Sequence, residues 1–301
     1  MSFEETLTRE VARVKTVLKK YLPLEEGHQK TLLEAMNYSM LAGGKRIRPL
    51  LMLLTYEMFG GKSSVVEPFM AGMEMIHTHS LIHDDLPAMD NDEYRRGRKT
   101  THVVYGEAMG ILAGDGLLNY AYECMSRAFD MEPENPKVGQ ALAVMAKKTG
   151  IFGMIGGQSV DVEMEGKILS QELLDFIYRL KTGALLEASM MTGAVLAGAD
   201  REQVAQVEKI AGNIGLAFQI QDDILDVTST VQMLGKPIRS DEKNHKTTYV
   251  TLRGLEQAKK EVERVSKNAL EGLLELSEGI SELERYEFLR ELVIHLMHRE
   301  N

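Results

Sequence analysis

Apolar residues recur at spacings of three and four through most of this chain, a period that predicts one helix after another. Leu32, Met36, Met40 and Leu41 outline one face. Leu50, Leu51, Leu53, Leu54 and Met58 belong to a segment that is apolar nearly all round, which implies burial. Phe69, Met73, Ile76, Ser80 and Ile82 lead into a pair of aspartates. Helices are also predicted over 111–129, 141–155, 173–196 and 204–227; the last third, from Leu255 to His298, is helical with Glu, Lys and Arg on solvated faces. Period-two runs of β-branched residues are scarce, and no Asn-Gly or Asp-Gly turn separates two alternating strands. Breaks are predicted at Gly60-Gly61, from Pro133 to Pro136 and from Thr228 to Thr247. The expectation is an all-α bundle of ten or more helices. No Pro/Gly/Ser-rich linker or block of like charge divides it, so residues 1–301 are expected to form a single domain.

Composition narrows the class of function. The 301 residues, 44% of them apolar, are ample for one large core. A formal net charge of −10 argues against general nucleic-acid binding. Cys124 is the only cysteine, so neither an intrachain disulfide nor a thiolate zinc site can form. The polar, acidic N-terminus does not read as a secretory signal, and the apolar stretch near 190–199 is too short to span a bilayer. A cytoplasmic protein with no membrane span is expected. The nineteen methionines and absent tryptophan mark a pliable core and carry no functional weight.

Candidate chemistry lies in two aspartate clusters. The first is DDLPAMDND, from Asp84; the second is QDDILD, with Asp222, Asp223 and Asp226. Two carboxylates ~4 Å apart repel by about 4 kcal/mol at an effective dielectric of ~20. A divalent cation removes that cost. Magnesium often takes only one or two carboxylates and completes its shell with water and phosphate oxygens. Asp222 and Asp226, four apart, share a helix face, with Gln219 one turn earlier. Asp84 and Asp85 end an apolar helix, Pro87 interrupts it, and a local bulge would be needed to return Asp90 to Asp84. Turn roles for residues 90–92 and a solvated acidic helix end are the bland alternatives.

Basic residues accompany the acids. Arg95, Arg96 and Arg98 follow the first cluster directly, as an acid–arginine surface network or as guanidinium forks for phosphate. GGKRIRP places Lys45, Arg46 and Arg48 after two glycines and before an apolar helix, whose N-terminus favours an anion. Lys181-Thr182-Gly183 interrupts a helical stretch beside a cation, and Lys236, Lys243 and Lys246 populate the irregular segment after the second cluster. His79 and His83 are four apart, a spacing that suits zinc, but no HExxH pattern accompanies them, and polar residues lining a cavity are the better reading. The segments LIHDDLPAMD and FQIQDDILDV echo each other, which suggests two inward-facing helices with their acids on opposite walls of one cavity.

In combination, GGKRIRP, HSLIHDDLPAMDNDEYRRG, GQSVD at Gly157 to Asp161, KTG at Lys181, and GLAFQIQDDILD with Gly235-Lys236 downstream resemble the short-chain trans-prenyl diphosphate synthases, on the bacterial farnesyl diphosphate side of that family. The resemblance covers roughly residues 40–250. It implies an isoprenoid-synthase-like bundle around a central cavity, a homodimer, and three magnesium ions. Asp84, Asp90, Asp222, Asp223 and Asp226 would hold the metal, with Asp85 in support. Arg95, Lys181, Thr182, Gln219, Lys236 and Lys246 would bind the allylic diphosphate (dimethylallyl or geranyl). Lys45, Arg48, His77 and Arg96 would bind isopentenyl diphosphate, and Gln158 and Asp161 would support the site from behind.

By the same resemblance, product length depends on the residues four and five before Asp84, which are Ser80 and His79. A medium-sized ring there implies farnesyl rather than geranylgeranyl diphosphate. A terpene cyclase needs no second diphosphate site, so Lys45, Arg48 and Arg96 speak for elongation. A non-catalytic subunit could lose metal ligands, yet both acidic clusters are intact here.

Overall fold

In the computed structural model, which describes residues 2–228, 247–280 and 282–297, nearly every predicted apolar period becomes helix. The helices are α1 (Phe3–Lys20), α2 (Lys30–Met40), α3 (Ile47–Met58), α4 (Val66–Asp84), α5 (Thr101–Tyr105), α6 (Glu107–Met131), α7 (Pro136–Thr149), α8 (Met154–Glu163), α9 (Gln171–Ile177), α10 (Ala184–Leu196), α11 (Arg201–Thr228), α12 (Tyr249–Arg253), α13 (Leu255–Ser277) and α14 (Leu283–Met297). The only strands among the described residues are β1 (Tyr94–Arg95) and β2 (Arg98–Lys99), paired antiparallel. Two predicted helices are corrected. Residues 141–155 do not run through, because α7 stops at Thr149 and α8 starts at Met154. The last third is likewise broken between α13 and α14.

The chain forms two compact units. The first comprises Met1–Leu53 and Lys62–Leu142, the second Leu54–Gly61 and Ala143–Asn301. In the first unit α4 packs along α6. α4 shows no amphipathic stripe because Phe69, Met70, Met73, Met75 and Ile76 are buried on all its sides. α1 starts with a reciprocal cap: Ser2 Oγ accepts from the Glu5 amide, and the Glu5 carboxylate accepts from the Ser2 amide. Its far end is tied to α4 by a 2.6 Å ion pair between Lys20 and Glu67.

In the second unit α11 packs on α10 and α13. Every residue of α10 is buried. Its one acid, Glu187, is neutralised by Lys148, which also reaches Glu208 at 2.6 Å. α9 and α10 belong to one rod, joined by a single π-helical turn, Tyr178–Gly183. Such wide turns insert one residue into a helix and frequently sit at functional positions.

Candidate active site

The first unit gathers the basic half of the predicted site. Gly43, Gly44 and Arg46 have φ of 91°, 117° and 54°, so the chain before α3 is wound left-handed. A Cβ at Gly44 would also stand 2.7 Å from Arg96 Nη1, so that guanidinium would have to shift. The same guanidinium donates to the Gly43 carbonyl at 2.5 Å. Arg96 and Gly97, with φ of 53° and 74°, form the two-residue turn between β1 and β2, a pattern of type I′ hairpins. The sequence patterns missed this hairpin, because its turn is Arg-Gly rather than Asn-Gly and its strands are two residues long.

The arginines divide by role. Arg46 makes its contacts within the protein. It is buried, donates to Glu74 and reaches the Met40 carbonyl at 2.5 Å. Arg48 donates to His77 Nε2 at 3.3 Å, and its own buried Nε finds no hydrogen-bond partner among the described residues. Burial, then Arg96, draws the Arg48 guanidinium down to about 10, with Glu74 opposing. Burial and the positive field of Arg48, Arg96, Arg46 and Arg95 hold the His77 imidazole well below its ordinary range, so it is neutral and accepts from Arg48. Lys45 is exposed on the same loop.

The acids of the first cluster also divide. Asp84, half-buried, ends α4; its carbonyl accepts from the Asp90 amide at 2.9 Å, which is the bulge that returns Asp90 to it. Asn91, at φ 52°, turns the chain out again. Asp85 is buried and held by Arg95 Nε at 2.7 Å and Nη2 at 2.6 Å. Burial raises the Asp85 carboxyl, and Arg95 offsets part of that rise. On α4, His79 is buried and its Nδ1 donates to the Gly114 carbonyl at 3.0 Å. Desolvation lowers it to about 4. His83 stacks edge-on against His79, with 4.6 Å between ring centroids, and bonds the Ile111 carbonyl. Ser80 bonds back to the His77 carbonyl.

The second unit gathers the other acids. Gly157 of α8 meets the π-helical turn backbone to backbone; a Cβ there would lie 2.3 Å from the Lys181 amide. That crossing sets Lys181 Nζ 2.5 Å from Asp161 Oδ2, and Thr182 donates to Gln219 at 2.8 Å. Asp223 Oδ2 accepts from the Tyr178 hydroxyl at 2.7 Å and from the Tyr249 amide at 2.9 Å. Gln219 and Asp223, four apart on α11, thus both meet the turn or its neighbours. Asp226 is buried and Asp222 half-buried. Gln158 is half-buried on α8. Lys236, Lys243 and Lys246 lie outside the described residues. Sequence patterns gave no reason to single out Tyr178 or Tyr249. Tyr178 could have been found as the start of the turn carrying Lys181, whereas Tyr249 is brought to Asp223 only by folding.

The donor set suits magnesium. Carboxylate oxygens stand in both clusters, Asp84 and Asp90 are drawn together by the backbone, and no thiolate is near. Among the described residues no group of three or more His, Cys, Asp or Glu side chains is positioned to enclose an ion. Magnesium does not require such a cage when water and phosphate complete its shell.

Acid clusters, guanidiniums and a lysine-bearing π-helical turn on an all-helical chain are groups that can handle a diphosphate. The polyprenyl synthetase family model matches residues 29–282, and the chain belongs to that family. It is 47% identical over 263 residues to the farnesyl diphosphate synthase of Geobacillus stearothermophilus, covering 87% of this chain and 88% of that one. It is 45% identical over 262 residues to the geranylgeranyl diphosphate synthase of Cyanophora paradoxa, covering 87% and 86%. The structure of the Helicobacter pylori geranyltransferase complexed with magnesium and isoprenyl diphosphate matches with a TM-score of 0.83 at 32% identity, covering 99% of this chain and 97% of that one. The chain is a prenyltransferase of the short-chain trans-prenyl synthase type. No helix among the described residues is long and apolar enough to cross a membrane.

Proposed function

We propose that this enzyme condenses isopentenyl diphosphate with dimethylallyl or geranyl diphosphate and releases farnesyl diphosphate. The observation that carries the reading is the crowd of guanidiniums, Arg48, Arg96, Arg46 and Arg95, around neutral His77, which accepts from Arg48. Guanidiniums gathered at one place repel one another, and a diphosphate offsets that repulsion while accepting their forked N–H donors. Lys45, Arg48, His77 and Arg96 bind isopentenyl diphosphate in this reading. Arg95, Lys181, Thr182 and Gln219, with Lys236 and Lys246, bind the allylic diphosphate. Residues 1–301 act as one polyprenyl synthase domain, and a cytoplasmic homodimer belongs to the same reading.

Asp84 and Asp90 in the first unit, and Asp222, Asp223 and Asp226 in the second, would hold the magnesium ions, three with substrate bound. Bound there, magnesium would supply charge stabilisation for a departing diphosphate. Lys181, oriented by Asp161, and Arg95, oriented by Asp85, add fixed positive charge to that leaving group. His77 can hydrogen-bond without adding charge, because burial and then the arginines keep it neutral. Apolar residues of the inward helices keep water from the allylic cation until the isopentenyl double bond adds to it. No protein base is assigned; the proton leaves to the released diphosphate.

Nearly equal identity to farnesyl and geranylgeranyl synthases leaves product length to local residues. His79 is buried about 7.5 Å along the helix from Asp84, and its bond to Gly114 fixes the ring. That favours a floor that stops the chain at fifteen carbons. The test is purified enzyme with magnesium and the two five-carbon substrates, its products separated by chromatography. Farnesyl diphosphate is expected; geranylgeranyl diphosphate would favour the alternative, and no elongation would sink both. His79→Ala is expected to lengthen the product, and an unchanged distribution from a folded variant refutes the blocking role.

A further inference from the structure

Tyr38, in the last turn of α2, lies outside the groups named so far. Its hydroxyl donates to the Lys99 carbonyl of β2 at 2.7 Å. The Arg98 guanidinium lies over its ring, 4.2 Å from the centroid. Tyr105 braces the ring edge-on, with 5.6 Å between centroids. One residue along, the Ser39 and Thr101 hydroxyls share a 2.5 Å hydrogen bond. The end of α2 therefore fastens β2 and the residues just beyond it. Arg96 fastens the hairpin turn to Gly43, in the loop that follows α2.

A ribbon with two residues per strand has no independent stability, so its geometry is set by what holds it. Arg95 pairs directly with Arg98 across that ribbon, and Arg96 is its turn. We infer that Tyr38 and Arg98 are a positioning pair: their stacked contact and the Tyr38–Lys99 hydrogen bond fix the hairpin on α2 and so aim Arg95 and Arg96 at their anion. Arg98, next to two arginines assigned to diphosphate, acts as the clamp and not as a third anion ligand. Its planar guanidinium suits this role, since it stacks flat on an aromatic face and a lysine ammonium does not. The inference rests on the assignment of Arg95 and Arg96 to diphosphate.

The test uses the full chain with Tyr38→Leu, Tyr38→Phe and Arg98→Lys. It reads KM and kcat for both substrates, calorimetric affinity for inorganic pyrophosphate, and the thermal midpoint. Tyr38→Leu and Arg98→Lys are expected to raise both KM values about tenfold, to weaken pyrophosphate binding by a similar factor and to lower kcat, with the thermal midpoint unchanged. Tyr38→Phe keeps the ring and should cost only about threefold. A folded Tyr38→Leu protein with unchanged KM and pyrophosphate affinity overturns the inference. So does a joint fall of kcat and thermal midpoint, the pattern of a merely structural residue, and so does wild-type protein that binds no pyrophosphate. Pyrophosphate binding that weakens in the variants, in an enzyme that makes no elongated product, would support the clamp while the proposed function fails.

Discussion

The two acid-bearing regions are built on opposite logic. In the first unit arginines beside the acids are held by carbonyl oxygens, as Arg46 and Arg96 are, on backbone that is left-handed at Gly43, Gly44, Arg46 and Arg96. In the second unit a buried carboxylate, Asp223, is held by neutral donors: a tyrosine hydroxyl and a backbone amide. A tyrosine hydroxyl and an amide orient the acid without bringing an opposite charge, whereas an arginine partner, as at Asp85, brings one. The difference teaches that neighbouring residues of one type need not share a task. Arg46 is paired with Glu74 and Asp85 with Arg95, whereas the neighbouring Arg48 bonds the neutral His77 ring.

The sharpest test of that division is Arg46→Leu. It strands buried Glu74 and should cost about 3–5 kcal/mol of stability in denaturant titration. The double variant with Glu74→Leu should recover most of it. Arg46→Leu with wild-type stability would erase the distinction between structural and ligand-facing arginines. Next is Asp84→Asn, expected to lower turnover about 10²–10³-fold with little change in stability; near-normal turnover would move the chemistry away from the first cluster. Tyr178→Phe removes a neutral donor from buried Asp223 and should cost about 1.5–3 kcal/mol, read from the urea midpoint. No loss there would mean that the Tyr249 amide alone suffices.

The smallest effect is on pH dependence. His79 has a folded pKa of about 4, below its unfolded value near 6.5. The unfolded chain therefore binds more protons in this window, and stability falls as pH drops from about 6.5 to about 4. His79 should contribute about 1 kcal/mol per pH unit there. His79→Gln should flatten that part of the profile in urea titrations at pH 7, 6 and 5; an unchanged slope would place His79 in contact with water.

Much of this was legible in the residues themselves. The apolar period of α4, α6 and α11 is visible because helical burial leaves a spacing of three and four. The bulge between Asp84 and Asp90 follows from Pro87, and the irregular turn at Lys181 was marked by its glycine. The hairpin was not legible, since two residues per strand leave no alternation to read. The break between α7 and α8 was missed because Gly150 and Gly153 sit inside an otherwise apolar helical pattern. Tyr249 was hidden for another reason: it is 26 residues from Asp223, and no local rule connects them.

The sequence by itself determined the all-helical class, the two acid clusters and the cations that accompany them, because periodicity and charge are properties of neighbours along the chain. Tertiary structure alone decided which arginine is buried against Glu74, which aspartate is held by a tyrosine, and which tyrosine bonds the hairpin. Those choices depend on burial and on partners distant in sequence, where the cost of desolvating a charge selects the pairing.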